Sequence, residues 1–190
     1  MIFYPETHQY FYKGKELPSV TTVLRFLSLD AYQYIDKYVL AAAADRGTRI
    51  HEACEDYDLY SHLPDYDEDY DIYNYVLAYA AFCADYQPLW IETEKALTDG
   101  EVAGTVDRIG KVKGITGPVV VDIKSSSRIY ELSVSAQTFK YGEMYSKPCV
   151  PYCLHLKDNG TYEFRQLDIA KGQETWDICH KLHKLLEESK

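Results

Sequence analysis

The chain has 190 residues, 46% of them hydrophobic and 14% aromatic, enough for one folded domain with its own core and too apolar for a disordered chain. The net charge of −10 argues against a general nucleic-acid binder held by bulk electrostatics. No apolar run approaches the roughly 20 residues a membrane helix needs, and five cysteines, an odd number without a compact framework, imply reduced thiols.

The opening MIFYPETHQYFYKGKEL has neither the basic start nor the apolar core of a signal peptide, so a cytosolic protein is expected. His8 to Leu17 reads as a small hairpin turning over Lys13-Gly14-Lys15. Pro18-Ser19 opens a helix, SVTTVLRFL, with Ser19 as its cap. Asp30 can cap a second helix through AYQYIDKYVLAAAA, Arg46-Gly47-Thr48 interrupts it, and Thr48 to Tyr60 reads as a third, carrying His51. Acids dominate from Glu52 to Asp71, densest in DYDEDYD, and read as a solvated loop or helix start. Ile72 to Tyr86 is helical in pattern, and Tyr75, Tyr79, Phe82 and Tyr86 recur at core spacing.

Leu89 to Leu97 alternates like a strand and leads into the stretch on which the chain is organised, GTVDRIGKVKGITGPVVVDIK from Gly104 to Lys124. Val102 to Ile109 and Val119 to Ile123 form two apolar strands, each carrying one acid, Asp107 and Asp122. Gly110, Gly114, Gly117 and Pro118 link them as turn formers, so the strands pair as a hairpin. Three valines before Asp122 mark a buried central strand. Asp122 and Lys124, two apart, leave it on one face. An acid at the end of a buried strand, beside a second acid, needs a cation or hydrogen bonds to neutralise it, and a divalent metal would serve.

Downstream, Ser125 to Ser127 is a polar loop and Ser133 to Tyr145 a helix that Pro148 and Pro151 end. Tyr152 to Lys157 and Thr161 to Leu167 form a second hairpin over Asp158-Asn159-Gly160, and an amphipathic helix from about Gln173 to Leu186 closes the chain. The expected architecture is α/β, a central mixed sheet with helices on both sides.

Each site residue has an ordinary reading of its own. Asp122-x-Lys124 can be a surface ion pair, Asp107 a strand-end turn cap, His51 a satisfied helical histidine, and Gln137 and Tyr141, four apart, merely share a helix face. Their order is more specific. His51, Gly104-Thr105-Val106-Asp107, Asp122-Ile123-Lys124 and Gln137-x-x-x-Tyr141 resemble the RecB-like branch of the PD-(D/E)XK nucleases. That branch includes the nuclease domains of RecB and AddB, the RecB-like exonucleases associated with CRISPR loci, and a mitochondrial genome-maintenance exonuclease. Pro18-Ser19-Val20-Thr21 also looks like the opening of the mitochondrial enzyme and its phage relatives, and the resemblance runs from about residue 8 to about residue 167.

The resemblance implies a single nuclease domain over residues 1–190, with a restriction-endonuclease-like core, an N-terminal hairpin and a C-terminal helix. It implies that Asp107, Asp122, the carbonyl of Ile123 and His51 ligate Mg²⁺ or Mn²⁺, that Lys124 is catalytic, and that Gln137 and Tyr141 support the site and the nucleic-acid backbone. Glu94, one strand earlier, is a further candidate acid, whereas Glu52 points elsewhere on its helix. Arg108, Lys111, Lys113, Arg128, Lys140 and Lys147 would form a local basic track for DNA. Several relatives hold an iron–sulfur cluster. Here Cys149, Cys153 and Cys179 follow the motifs at the wrong spacing and none precedes His51, which argues for buried thiols. The expected function is a metal-dependent DNA nuclease, acting from ends, in phage or bacterial recombination, repair or DNA processing. A recruiting protein would offset the acidic charge. The rival is a catalytically idle nuclease-fold adaptor, which that charge favours and the intact metal and lysine set opposes.

Overall fold

A computed structural model describes residues 1–4, 7–28, 34–145 and 148–189. A five-stranded sheet runs through its centre in the order β4 (Leu89–Thr98), β5 (Ala103–Lys111), β6 (Val119–Lys124), β7 (Val150–Leu156) and β8 (Tyr162–Gln166). Neighbours are antiparallel except β6 and β7, which pair in parallel from Val119↔Val150 to Lys124↔His155. The sheet is thus mixed, and its middle strand is β6. None of Val119 to Ile123 is more than 1% exposed. Burying one such aliphatic side chain is worth about 1.5–3 kcal/mol, so the valine run fixes β6 at the centre.

The fold is α/β, with helices on both faces of the sheet. On one face α2 (Lys37–Tyr60) and α3 (Tyr70–Tyr86) pack Ile50, Cys54, Tyr79 and Phe82 against Val119, Val121, Ile123 and Leu154. On the other, α1 (Val20–Leu24), α4 (Glu131–Met144) and α5 (Ile169–Glu188) bring Val23, Ala136, Tyr141 and Trp176 against Val106 and Val120. Ser19 caps α1 as expected, its Oγ accepting the Thr22 N–H at 2.9 Å. The N-terminal hairpin gains a third strand that the sequence reading missed: β1 (Ile2–Tyr4) pairs with β2 (Gln9–Tyr12), which pairs with β3 (Lys15–Leu17). This small sheet is tied to β5 by Tyr10 Oη and Thr105 Oγ1 at 3.0 Å.

Four local expectations are corrected. Gly47 does not break the helix; α2 is continuous from Lys37 to Tyr60, because one glycine costs an otherwise strong helix only about 1 kcal/mol. Asp36 caps it through Tyr38 N–H at 2.7 Å, while the proposed cap Asp30 lies outside the described residues. Gly110 is not a turn residue but part of β5, where an added Cβ would come within 2.4 Å of the Leu89 carbonyl. Pro151 does not end a helix; it lies inside β7, and its carbonyl takes the Leu167 N–H at 2.9 Å. The last helix starts at Ile169, with Asp168 accepting from Lys171 N–H, and Gly172 lets its first turn meet the Ser135 carbonyl.

Of the acidic run, Asp69 and Asp71 are tied to Arg49 at 3.0 and 2.7 Å, so its end is a bridged helix start. No described helix is long and apolar enough to cross a membrane.

Candidate metal centre

The β5–β6 ladder runs from Gly110↔Val119 to Arg108↔Val121. Beyond it a side chain takes over the pairing, and Asp107 Oδ2 accepts the Ile123 N–H at 2.6 Å. That bond locks the Asp107 carboxylate beside the end of β6. Asp122, 1% exposed, meets Lys124 Nζ at 2.9 Å from Oδ1 and 2.7 Å from Oδ2, so period-two geometry brings the pair together as the sequence implied. Only the Oδ1 contact has hydrogen-bonding geometry. Asp122 Oδ2, which is buried, has the Lys124 ammonium as its ion-pair partner and no other donor among the described residues.

His51 reaches this strand end from α2. Its Nε2 lies 3.2 Å from the Ile123 carbonyl oxygen, and its Nδ1 lies 3.4 Å from Glu94 Oε1 and 3.9 Å from Asp107 Oδ1. One ligand atom each from His51, Glu94 and Asp107 falls within a 4.8 Å cluster, the one group of three or more such residues among those described. One imidazole and two carboxylates suit Mg²⁺ or Mn²⁺, the nitrogen favouring Mn²⁺. The Ile123 carbonyl beside His51 is a further oxygen at the same strand end, and the residues present fit a divalent cation; Asp122, which the sequence also placed among the ligands, is held by Lys124 and is not part of the cluster.

Glu94 is therefore more central than its place in the sequence suggested. It sits just past the bulge at Trp90/Glu92 and has φ +43°, a left-handed conformation that a glutamate rarely adopts. Arg108 Nη1 meets Glu94 Oε1, the oxygen that also faces His51, at 3.0 Å, and Arg108 Nε holds Asp58 at 2.9 Å. Tyr79 Oη and Trp90 Nε1 also donate to Asp58, at 2.8 and 3.2 Å.

The electrostatics follow from burial and crowding. Burial raises the Asp107 pKa to about 6, a shift that His51 moderates and Asp122 reinforces. Burial opposes protonation of His51, but the carboxylates of Asp107 and Glu94 outweigh it and hold the imidazole above its ordinary value. Burial likewise opposes a charged Lys124, and Asp122 with Asp107 outweighs it, so the ammonium form is favoured. For Glu94, burial raises the pKa but His51 and Arg108 bring it below the usual range.

Gln137 and Tyr141 lie on one face of α4 above the site, and burial pushes the Tyr141 hydroxyl well up. Tyr141 presses on Gly104, where a Cβ would sit 2.7 Å from its ring and 2.8 Å from its hydroxyl oxygen. The basic track is mostly not where the sequence placed it. Arg108 is 0% exposed and serves Asp58 and Glu94. Lys140 is buried, paired with Asp99 at 2.6 Å and with Glu143, and lies 5.2 Å from the Trp176 ring. Lys111 and Lys113 follow the opposite end of β5, and Lys147 lies outside the described residues. Arg128 is exposed beside Lys124 and Gln137, and Arg25, which the sequence reading passed over, joins it there. Glu52, set aside as a ligand on helical phase, is not part of the metal cluster but lines the cavity over it. All five cysteines are free thiols, and burial raises the pKa of Cys153, near Asp122, to about 12.

No protein-family model matches the chain, and no curated protein does. Among solved structures, one described as the crystal structure of SSO0001 aligns with a TM-score of 0.44 and 16% identity, covering 90% of this chain and 78% of that one.

Proposed function

We propose that this chain is a metal-dependent deoxyribonuclease with a restriction-endonuclease-like core, hydrolysing phosphodiester bonds from DNA ends. The observation that carries the reading is the Lys124 ammonium, 2.7 Å from Asp122 at the end of a buried strand and within electrostatic reach of His51 and Asp107. Such a set has a use in phosphoryl chemistry and little use in a stability role. A bound Mg²⁺ or Mn²⁺ would polarise a phosphoryl oxygen and make hydroxide available near neutral pH.

The chain's own residues do the rest. His51, Glu94 and Asp107 converge on one point, with the Ile123 carbonyl oxygen beside His51. Asp122 holds Lys124 where its ammonium can donate to the charge that builds on the phosphoryl oxygens as a water oxygen attacks phosphorus. The new P–O bond forms as the ester bond to the sugar oxygen breaks, and that oxygen leaves with a proton. Tyr141 and Gln137 close the recess from α4. The motif order resembling RecB-like nucleases supports the same chemistry.

The test is cleavage of end-labelled single- and double-stranded DNA with Mn²⁺, Mg²⁺ or EDTA. Metal-dependent loss of label is expected, falling by about 10²–10³ in Lys124→Ala. Equal cleavage by that variant removes Lys124 from the chemistry. No cleavage with either metal, together with no heat of Mn²⁺ binding, would leave the idle adaptor as the better reading.

A further inference from the structure

Two cavities adjoin at the candidate site, with Thr21 and Gln137 lining both, and are taken together as the two arms of one groove. Their charges are opposite. One arm, of about 330 Å³, is lined by Lys124, Arg25 and Arg128 and by no carboxylate among the described residues. The other, of about 540 Å³, carries Glu52, Glu55, Glu94 and Asp107 and, among the described residues, no lysine or arginine. Lys124 is held by Asp122, but the other two cations of the first arm are available. Arg25 and Arg128 are exposed, each packs on a neighbouring aromatic ring at 5.3 and 5.2 Å, and neither has an ion-pair partner among the described residues. In the second arm Glu52 is exposed and likewise without an ion-pair partner among the described residues, and Glu55 meets only Thr93, at 3.5 Å. Its far wall is aromatic: Phe3 and the exposed His8 ring stand edge to face at 5.6 Å.

A polyanion cannot treat these arms alike. A cation held by His51, Glu94 and Asp107 balances the charge nearest the chemistry but leaves Glu52 and Glu55 uncompensated. A phosphate passing them is repelled, whereas one passing Arg25 and Arg128 is attracted. We infer that the groove orients its substrate by charge: the phosphate chain runs along the Lys124–Arg25–Arg128 arm, and the acidic arm admits only an end nucleoside without a terminal phosphate, seated on the aromatic wall of Phe3 and His8. This rests on the nuclease reading for the identity of the polyanion. It adds that one kind of chain end is selected by its hydroxyl, and that Glu52 and Glu55 do the selecting.

The experiment compares short single-stranded DNAs that differ only in carrying hydroxyl or phosphate at the 5′ end, and a second pair differing at the 3′ end. Binding is read by anisotropy with Ca²⁺, and release of the end nucleotide with Mn²⁺. At one of the two ends the hydroxyl strand should be favoured by on the order of tenfold, the size expected for a dianion near two carboxylates at partial screening. The double variant Glu52→Gln/Glu55→Gln, at positions outside the core, should reduce that ratio to about twofold or less on the same Coulombic argument. Arg25→Ala/Arg128→Ala should weaken both strands equally and flatten the salt dependence. Cleavage without any preference, a preference for phosphate, or a preference that survives the double glutamine variant overturns the inference and leaves the nuclease reading standing. A hydroxyl preference in binding without cleavage under any metal does the reverse. Neither binding nor cleavage removes both.

Discussion

Replacing Asp107 by Asn should make the metal-free protein more stable, because the site keeps a carboxylate where folding alone would discard it. Asp107 is 7% exposed, and burial raises its pKa from 3.8 to about 6. The raised value means that the folded state prefers the protonated acid. The stability this group contributes is whole below pH 3.8 and is lost as pH rises towards 6. At about 1.36 kcal/mol per pKa unit, ionising Asp107 costs the fold roughly 2–3 kcal/mol at neutral pH. Asparagine keeps an oxygen to accept the Ile123 N–H, now at 2.6 Å, so the local backbone need not move. Urea unfolding in EDTA should show Asp107→Asn more stable by about that amount at pH 7, with the gap closing towards pH 4. Mn²⁺ should close the gap and, at high excess, invert the order: a ligand at a thousandfold its Kd adds about 4.1 kcal/mol to the wild type, more than the gap, and less to a variant lacking one anionic ligand. If the variant is less stable than the wild type at pH 7 without metal, the carboxylate is supporting the fold, and the reasoning about a stored metal site fails.

Two other substitutions probe the supports of the site. Gly104→Ala drives a Cβ into the Tyr141 ring at 2.7 Å and should cost about 1–3 kcal/mol, lowering Tm by several degrees; in a Tyr141→Leu background the same change should cost clearly less. Arg108→Met strands Asp58 and Glu94 without their shared cation and should destabilise by about 3–5 kcal/mol in urea, whereas a change under 1 kcal/mol would mean that the pair is solvated enough to stand alone.

What the sequence made legible was whatever depends on near neighbours. The valine run announced a central strand because a strand buried on both faces has no room for alternation, and Asp122 and Lys124 meet because strand side chains repeat every two residues. The Ser19 cap and the Tyr75–Tyr79–Phe82 stripe were readable for the same reason. Long-range accounting was not readable. Arg108 looked like a phosphate contact because its counter-charges, Asp58 and Glu94, lie 50 and 14 residues away. Lys140 looked free because Asp99 reaches it only across a β-turn and a helix. Gly47 and Gly110 were read as breakers on local propensity, and tertiary packing overrode both: α2 gains its stability from the sheet it covers, and Gly110 serves the close approach of β4.

Glu94 shows the same division inside the site itself. Nothing in LWIETEKALT singles it out, and its helix-range neighbours are ordinary strand residues. Three separate elements give it its role. The bulge in β4 turns the chain, the strained φ of +43° aims the carboxylate, and Arg108, anchored by Asp58 on α2, holds it by Oε1, the oxygen that also meets His51. A backbone strain of about 1–3 kcal/mol persists only where surrounding contacts over-determine it. Here the buried Arg108–Asp58 pair supplies that constraint, and against the burial that raises the Glu94 pKa, His51 first and Arg108 second keep this carboxylate ionised beside Asp107. The cation proposed for the recess and the guanidinium behind it thus divide one task. Arg108 compensates the acid from the core through Oε1, the oxygen it shares with His51, and so keeps the carboxylate charged and in place beside His51 and Asp107 before any ligand arrives.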